Sequence, residues 1–223
     1  MAYGLGNKGA KLLKEELGVR MRHLRLNDQN QSVGRVYLNH ALLVSDVMVA
    51  IELGCRNLAG LNFIPGDALP RPEGVDQLHA FKWHARLIGG AAVGIIPDGV
   101  FALDSIDANG TSNRAFFFLE ADRGTMPIVR KNLSQTSMFR KLLAYEATWT
   151  HGMHRTLFGF HRFRVLTVTT SPERTASLIE ACSKLKSGHG LFLFCDEATL
   201  KQQGDIFTVP WKTGRGNTTT LLM

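Results

Sequence analysis

Cysteine is scarce in this sequence, with three residues in a chain of 223. Cys55, Cys182 and Cys195 lie far apart, and their odd number argues against a disulfide framework. No two of them form the C-x-x-C pair that is typical of structural zinc sites. The scarcity therefore argues against disulfide-rich and zinc-ribbon proteins, and it favours a reducing compartment such as the cytoplasm.

Long hydrophobic runs are also missing. Although 44% of the residues are hydrophobic, no stretch approaches the roughly 18 unbroken apolar residues of a membrane span. The first twenty residues, MAYGLGNKGAKLLKEELGVR, contain no apolar signal core and no cleavage-like site. We therefore expect a globular, cytoplasmic protein that does not associate with a membrane.

Acidic residues are distributed unevenly along the chain. The net charge of +7 is the sum of an acidic segment and a strongly basic one, among others. Residues 27–122 carry six lysines and arginines against eleven acids, whereas residues 123–164 carry eight against the single acid Glu146. The simplest interpretation is a solvated surface of uneven charge. The alternative is that the basic segment binds a polyanion, most commonly nucleic acid, while carboxylates in the acidic segment bind a cation.

The apolar pattern predicts an α/β protein. We expect helices over residues 8–17, 39–53 and 133–150 and a further helix after the N-cap Ser171, with strands near residues 78–83, 93–103, 114–121, 163–170 and 190–196. Asn39 is the expected cap of the second helix and Gly54 its expected end. Apolar strands separated by a helix imply a parallel crossover. The segment TGRGNTTT near the C-terminus is predicted to be a flexible tail.

Three carboxylates are the main candidates for chemistry. Glu120 and Asp122 end the apolar run FFFLEAD, and residues two apart on a strand share a face. A hairpin pairing with the preceding strand brings Asp98, in IIPDGV, beside Glu120. Converging carboxylates that are half-buried must be protonated, paired or neutralised by a cation, and oxygen ligands suit Mg²⁺ or Mn²⁺. The alternative is that Glu120 and Asp122 pair with Arg123 or Arg114.

These motifs resemble two known groups of proteins. The PDG turn on one strand, followed by an apolar strand that ends in an acid, looks like the PD-(D/E)xK nucleases. The segments YGLGNKGAKLL, IIPDGVFAL, FFFLEADRGT and KLLAY resemble the replication-relaxation family of plasmids and mobile elements. The resemblance implies a restriction-endonuclease-like αβββαβ core over residues 35–223, with a mixed sheet flanked by helices. It also implies that residues 1–26 are a partial winged helix-turn-helix, namely its wing and last helix.

The resemblance also implies roles for individual residues. Asp98 and Glu120 match the two acids of the nuclease pattern, and with Asp122 they are the expected ligands of Mg²⁺ or Mn²⁺. The lysine of the pattern, expected two residues after the second acid, is replaced by Asp122. Lys141 on the following helix is the expected substitute, since such a relocation occurs in related nucleases, and Tyr145 shares its helix face. Asp98, Glu120, Asp122 and Lys141 are therefore the catalytic candidates.

The expected partner is DNA, and a homodimer is a further expectation. The candidate phosphate contacts are arginines of the basic segment: Arg123, Arg140, Arg155, Arg162 and Arg164. The nearby histidines His151, His154 and His161 lack an acid or cysteine to complete a zinc set, and we expect them in a surface loop.

Three hypotheses remain open from the sequence. The first is a DNA-processing protein of a mobile element with a metal-dependent, nuclease-like site. The second is a DNA-binding replication accessory factor that keeps the fold without cleavage. The third is a scaffold whose acids only form salt bridges.

Overall fold

The computed structural model describes residues 11–12, 15–16, 35–70, 80–106, 111–132 and 134–222. The four described residues near the N-terminus are helical, in agreement with the helix predicted over residues 8–17. Most of the predicted winged-helix segment lies outside the described residues. The chain forms two compact units, residues 1–42 and 43–223, and the predicted division into residues 1–26 and 35–223 stays a prediction.

Helix α1, Arg35–Arg56, confirms the predicted helix but extends beyond both of its predicted ends. Asn39 therefore does not cap it, and Gly54 does not end it. Instead, Gly54 lies within the helix and allows the ring of Phe207 to pack closely against it, because a Cβ at this position would lie 2.8 Å from that ring. The residues that α1 buries within the larger unit recur every four positions: Leu43, Val47, Ile51 and Cys55.

Within the described residues, one helical stretch is long and apolar enough to cross a membrane by length and composition. This stretch, Leu38–Arg56, includes Asp46 and Glu52, and about a quarter of it (28%) is buried inside the protein. Core helices of globular proteins meet the same criterion, and the four-residue spacing of the buried side chains is typical of such a helix.

A seven-stranded mixed sheet forms the centre of the larger unit, flanked by helices, as predicted. In sheet order its strands are β1 (Leu61–Pro65), β4 (Gly99–Ile106), β5 (Ser112–Asp122), β6 (Phe163–Thr169), β7 (Phe192–Asp196), β8 (Trp211–Thr213) and β9 (Thr218–Thr219). Strands β5, β6 and β7 are parallel, and the other neighbours pair antiparallel. The helix between β5 and β6 makes the expected crossover.

The sheet separates two apolar layers, because successive side chains of a strand point to opposite faces. On β5, Phe116 and Phe118 belong to one layer, and Phe117 and Leu119 belong to the other. The first layer contains helices α2 (Met138–Thr150), α3 (Met153–Phe158) and α4 (Pro172–Ser183). The second contains α1, and the short helix α5 (Glu197–Gln203) contributes Leu200 at its border.

A separate hairpin interrupts the strand that the sequence predicted over residues 93–103. Its strands β2 (Trp83–Arg86) and β3 (Ala92–Ile95) pair antiparallel outside the main sheet. Pro97, which has no N–H to donate, lies between β3 and β4. One predicted strand is therefore two strands, and Asp98 lies at the start of the second.

Two other predictions are wrong. The C-terminal segment forms the paired strands β8 and β9, in which Trp211 is buried, and so it is not a flexible tail. His154 lies in helix α3 and is buried, with its ring stacked on Trp149 at 4.8 Å, and so it is not a surface histidine. In both places a buried aromatic side chain stabilises an ordered local structure. The polar residues around it made this order difficult to predict from the sequence.

Candidate functional site

Asp98 is held beside the end of β5 by two hydrogen bonds. Its backbone N–H donates to the carbonyl of Leu119 at 2.9 Å, and its carboxylate Oδ2 accepts from the backbone N–H of Ala121 at 2.8 Å. These bonds continue the pairing of Gly99 with Leu119 in the sheet. The half-buried Asp98 therefore lies next to Glu120, as the predicted hairpin required.

Glu120 is the buried carboxylate of the site, with 3% of its surface exposed. Lys141 donates from Nζ to its Oε2 at 2.5 Å, and Tyr145 donates from its hydroxyl to Oε1 at 2.7 Å. Both donors come from helix α2. The structure therefore brings together three of the four predicted catalytic residues, with Tyr145 as an additional contact.

Helix α2 presents Lys141 and Tyr145 to Glu120 because residues four apart lie on the same helix face. Ser137 caps the helix by accepting from the backbone N–H of Arg140 at 3.2 Å, which fixes where the first turn begins. The ring of Tyr145 is buried against Phe118 and Trp83, with centroid distances of 5.7 and 6.0 Å. Lys141, at 29% side-chain exposure, remains accessible from solvent.

Burial and charge act against each other at Glu120. Burial raises the pKa of the Glu120 carboxyl above its ordinary value, the positive charge of Lys141 opposes the rise, and the nearby Asp98 adds to it. Burial alone would lower the pKa of Lys141, but attraction to Glu120, with the fields of Asp98 and Asp122, raises it. Burial and Glu120 also raise the pKa of Tyr145, which stays a neutral hydrogen-bond donor.

Asp122 has a partner that the sequence analysis did not name. Arg174 of helix α4 donates to both of its carboxylate oxygens, at 2.5 and 2.9 Å, and Thr169 donates to it at 3.1 Å. Arg174 also donates to the carbonyl of Met126 at 2.6 Å. The alternative pairing with Arg114 is not observed, since Arg114 pairs with Asp104 on the neighbouring strand. Asp122 therefore joins β5 to β6 and α4.

A divalent cation fits the chemistry of Asp98 and Glu120. Mg²⁺ is commonly held by one or two carboxylates together with the phosphates of a substrate. In the part of the chain that the structure describes, no group of three or more His, Cys, Asp or Glu side chains is arranged to hold a metal. The protein's own contribution to a cation site would therefore be two carboxylates, with Asp122 engaged by Arg174.

Four of the five candidate arginines lie at two ends of the strands, and Arg155 lies on helix α3. Arg123 directly follows Asp122, and Arg140 is on the first turn of α2, one position before Lys141. Arg162 and Arg164 lie at the other end, since Arg164 is opposite Phe117 in the sheet whereas Glu120 is opposite Thr167. Arg164 is therefore three residues along the strand, or about 10 Å, from the level of Glu120.

Arg155, Arg162 and Arg164 form no ion pair with the acids that the structure describes. Arg155 and Arg162 are exposed, and Arg164 is half-buried. Burial, and then repulsion from Arg162, lower the pKa of Arg164. An uncompensated cluster of this kind favours contact with an anion.

The fold and the site define a mixed α/β protein with a buried acid–lysine pair at the end of a central strand, beside a second acid. The family model described as replication-relaxation matches residues 1–160, which is more than half of the chain. The chain belongs to the replication-relaxation family. No curated protein and no solved structure matches the chain.

Proposed function

We propose that this chain is a DNA-processing protein in the replication of a mobile element, with a Mg²⁺- or Mn²⁺-dependent site for phosphodiester cleavage at Asp98, Glu120 and Lys141. The proposal is carried by one observation: Lys141, from a different element, lies 2.5 Å from the buried carboxylate of Glu120, next to Asp98. Family membership supports a role connected with replication.

The order of the elements supports a restriction-endonuclease-like core. A helix precedes β1, β4 and β5, which pair antiparallel, and then α2 and α3 lead to β6, parallel to β5. With β2 and β3 as an insertion, this order agrees with an αβββαβ core. Asp98 directly precedes β4 and Glu120 lies near the end of β5, on adjacent strands, which supports this interpretation.

Each residue of the site has a distinct chemical role in this proposal. A bound Mg²⁺ or Mn²⁺ would supply an activated water and neutralise the charge of the scissile phosphate. Asp98 and Glu120 would hold the cation. Lys141 would stabilise the negative charge that develops on the phosphate oxygens, and Tyr145, by donating to Glu120, fixes the orientation of that carboxylate.

The decisive experiment compares the wild type with Lys141→Ala on supercoiled and single-stranded DNA, in Mg²⁺, Mn²⁺ or EDTA. We expect divalent-dependent cleavage that falls by about 10²-fold in the variant, the usual scale for one lost transition-state donor. Lys184→Ala is the matched control, because Lys184 forms an exposed pair with Glu180 on α4. Normal cleavage by Lys141→Ala together with an inactive Asp98→Ala would contradict the role of the lysine.

A second candidate is a DNA-binding replication accessory factor that has kept this fold without cleavage. It is favoured by the observation that the protein itself supplies hydrogen-bond donors to both carboxylate oxygens of Glu120 and of Asp122. DNA binding by the wild type, without cleavage in either metal, would select this candidate over the first.

A further inference from the structure

The hairpin β2–β3 has a firmly packed base. Its inward side chains, Trp83, Ala85, Val93 and Ile95, are all buried in the layer that contains α2. Trp83 donates from its indole Nε1 to the hydroxyl of Thr148 on α2 at 2.9 Å. One face of the hairpin is therefore fixed to the helix that carries Lys141, and this packing continues to the buried Leu87, next to the turn.

The tip of this hairpin presents one large apolar side chain. Ile88 is 79% exposed, the most among the exposed large hydrophobic side chains of the described residues. The turn is closed by the N–H of Gly90, which donates to the carbonyl of Leu87 at 3.0 Å, with Ile88 and Gly89 between them. Gly89 and Gly90 adopt positive φ, where a Cβ would be strained, although nothing lies within 4 Å of it. The tip is therefore narrow, with Ile88 as its only bulky group.

Positive charge flanks this apolar tip. Residues 80–97 contain the cations Lys82 and Arg86, with the polar His84 between them, and no acid, although they lie within the acidic segment 27–122. The three side chains are exposed and alternate with the buried ones along β2. In the described part of the chain, none of them has an acidic partner. A hairpin with cations along its outer face and one apolar residue at its tip complements DNA, whose phosphates flank stacked apolar bases.

Resting on the proposed binding of DNA, we propose that the β2–β3 hairpin is a DNA-contacting arm whose tip residue Ile88 inserts between base pairs from the minor groove. Apolar wedges that enter the minor groove unstack one base step and kink the duplex by about 20–90°. Arg86 and Lys82 contact the flanking phosphates. The narrow tip suits a groove that is only about 6 Å wide.

The chain path limits where the kink lies. Strand β3 leads through Ile96 and Pro97 directly to Asp98. The ten residue steps from Ile88 to Asp98 span at most about 33 Å. At 3.4 Å per base pair, the wedge reaches a step within about ten base pairs, or one helical turn, of a phosphate bound at the proposed cation site. The arm therefore distorts the duplex beside the site rather than at a remote position.

The test uses the full chain in EDTA, so that binding is measured without cleavage. Duplexes of about 30 base pairs, close to three helical turns, carry 2-aminopurine at successive positions and a donor and acceptor dye at their ends. We expect the wild type to bend the duplex and to raise 2-aminopurine fluorescence at one step. Ile88→Ala should abolish both signals and weaken binding by about tenfold, whereas Arg86→Ala should weaken binding and keep the fluorescent step.

Ile106→Ala is the matched control, because Ile106 is another exposed isoleucine, at 56%, at the far end of β4. Unchanged bending by Ile88→Ala, or an equal loss in Ile106→Ala, would overturn the wedge. A smaller oligomer in Ile88→Ala with unchanged bending would also overturn it, in favour of a contact between protein chains. If the wild type cleaves DNA and Ile88→Ala bends the duplex as the wild type does, only the wedge proposal fails. If the wild type binds no DNA, the proposed function fails as well.

Discussion

At the scale of single residues, Glu120 combines a carboxylate with nearly complete burial, and Asp98 lies beside it. Such a pair gains stability from a bound cation, and ligands that bind only the folded state stabilise it by about 2.7 kcal/mol at 100 times Kd. We therefore expect Mn²⁺ to raise the melting temperature of the wild type and to have no effect on Glu120→Gln.

Asp104→Asn is the control for this measurement, because Asp104 pairs with Arg114 toward the end of β4 that is distant from Asp98. It should keep the Mn²⁺ response. An equal gain in wild type and Glu120→Gln would place the cation elsewhere.

The raised pKa of Glu120 predicts a particular pH dependence of stability. Between its ordinary value of 4.5 and its higher value in the folded protein, the folded state binds more protons at Glu120 than the unfolded state does. The contribution of Glu120 is therefore fully favourable below pH 4.5 and decreases as pH rises through the folded value.

We expect the free energy of unfolding of the wild type to fall relative to that of Glu120→Gln as pH increases above 4.5. Denaturant titrations of both proteins at a series of pH values measure this difference. A difference that grows in favour of the wild type would contradict the direction of the shift.

The resemblance to the nucleases pointed to Lys141 as the lysine of the site, and local periodicity explains how it reaches Glu120, although the direct Glu120–Lys141 pair was not predicted. Residues two apart on a strand and four apart on a helix share a face, which placed Glu120, Lys141 and Tyr145 in position once β5 and α2 packed together. Arg174 was missed because it is 52 residues from Asp122 and no local pattern joins them. Its only signal was the Ser171–Pro172 helix start, which places Arg174 in the first turn of α4.

At the scale of secondary-structure elements, the Asp122–Arg174 pair joins β5 to α4 where the parallel strands end. Asp122 and Arg174 side chains are 2% and 17% exposed. Removing one partner of a buried pair leaves an uncompensated charge, which typically costs about 3–5 kcal/mol. We therefore expect Arg174→Met to lower the free energy of unfolding by an amount in this range, measured by chemical denaturation.

The double variant Asp122→Asn/Arg174→Met should be more stable than Arg174→Met alone, since no isolated carboxylate remains. It should also keep the Mn²⁺ response if the cation is held by Asp98 and Glu120 without Asp122. A loss below about 1 kcal/mol in the single variant, the scale of exposed pairs, would show that Asp122 does not need this partner.

Helices and strands were predicted correctly where the apolar pattern was long and regular. The predictions failed where that pattern was interrupted. Strand β5 and helix α4 lie close to their predicted positions. β1 was missed, because its residues LNFIP end in a proline within a stretch rich in glycine and proline. Strands β3 and β4 were predicted as one strand, although Pro97 was expected to interrupt its pairing, because both pieces are apolar and periodicity alone does not separate two short buried strands from one long strand.

At the scale of the whole molecule, the distribution of positive charge is the property that bears on the proposed DNA partner. The basic segment 123–164 places Arg123 and Arg140 at the acid–lysine end of the strands and Arg162 and Arg164 toward the other end, with Arg155 on helix α3. A duplex is wide enough to contact both ends, because about 10 Å of strand separates Arg164 from the level of Glu120. The homodimer and the cytoplasmic location stay predictions.

Arg155, Arg162 and Arg164, which have no acidic partner among the described residues, predict how DNA binding responds to salt. Each phosphate contact releases counterions and contributes about 0.9 to the slope of log K against log salt concentration. Replacing Arg155, Arg162 and Arg164 together by Ala should therefore reduce the slope by up to about 2.7, the sum of three contacts. Fluorescence anisotropy with a labelled duplex over a range of salt concentrations measures this slope.

The control variant replaces Lys184, Lys201 and Arg215 by Ala. These residues are exposed and lie outside the basic segment, and replacing them removes the same charge. If both triple variants flatten the slope equally, net charge rather than local contact governs binding. If only the arginine variant does so, DNA contacts these three arginines directly.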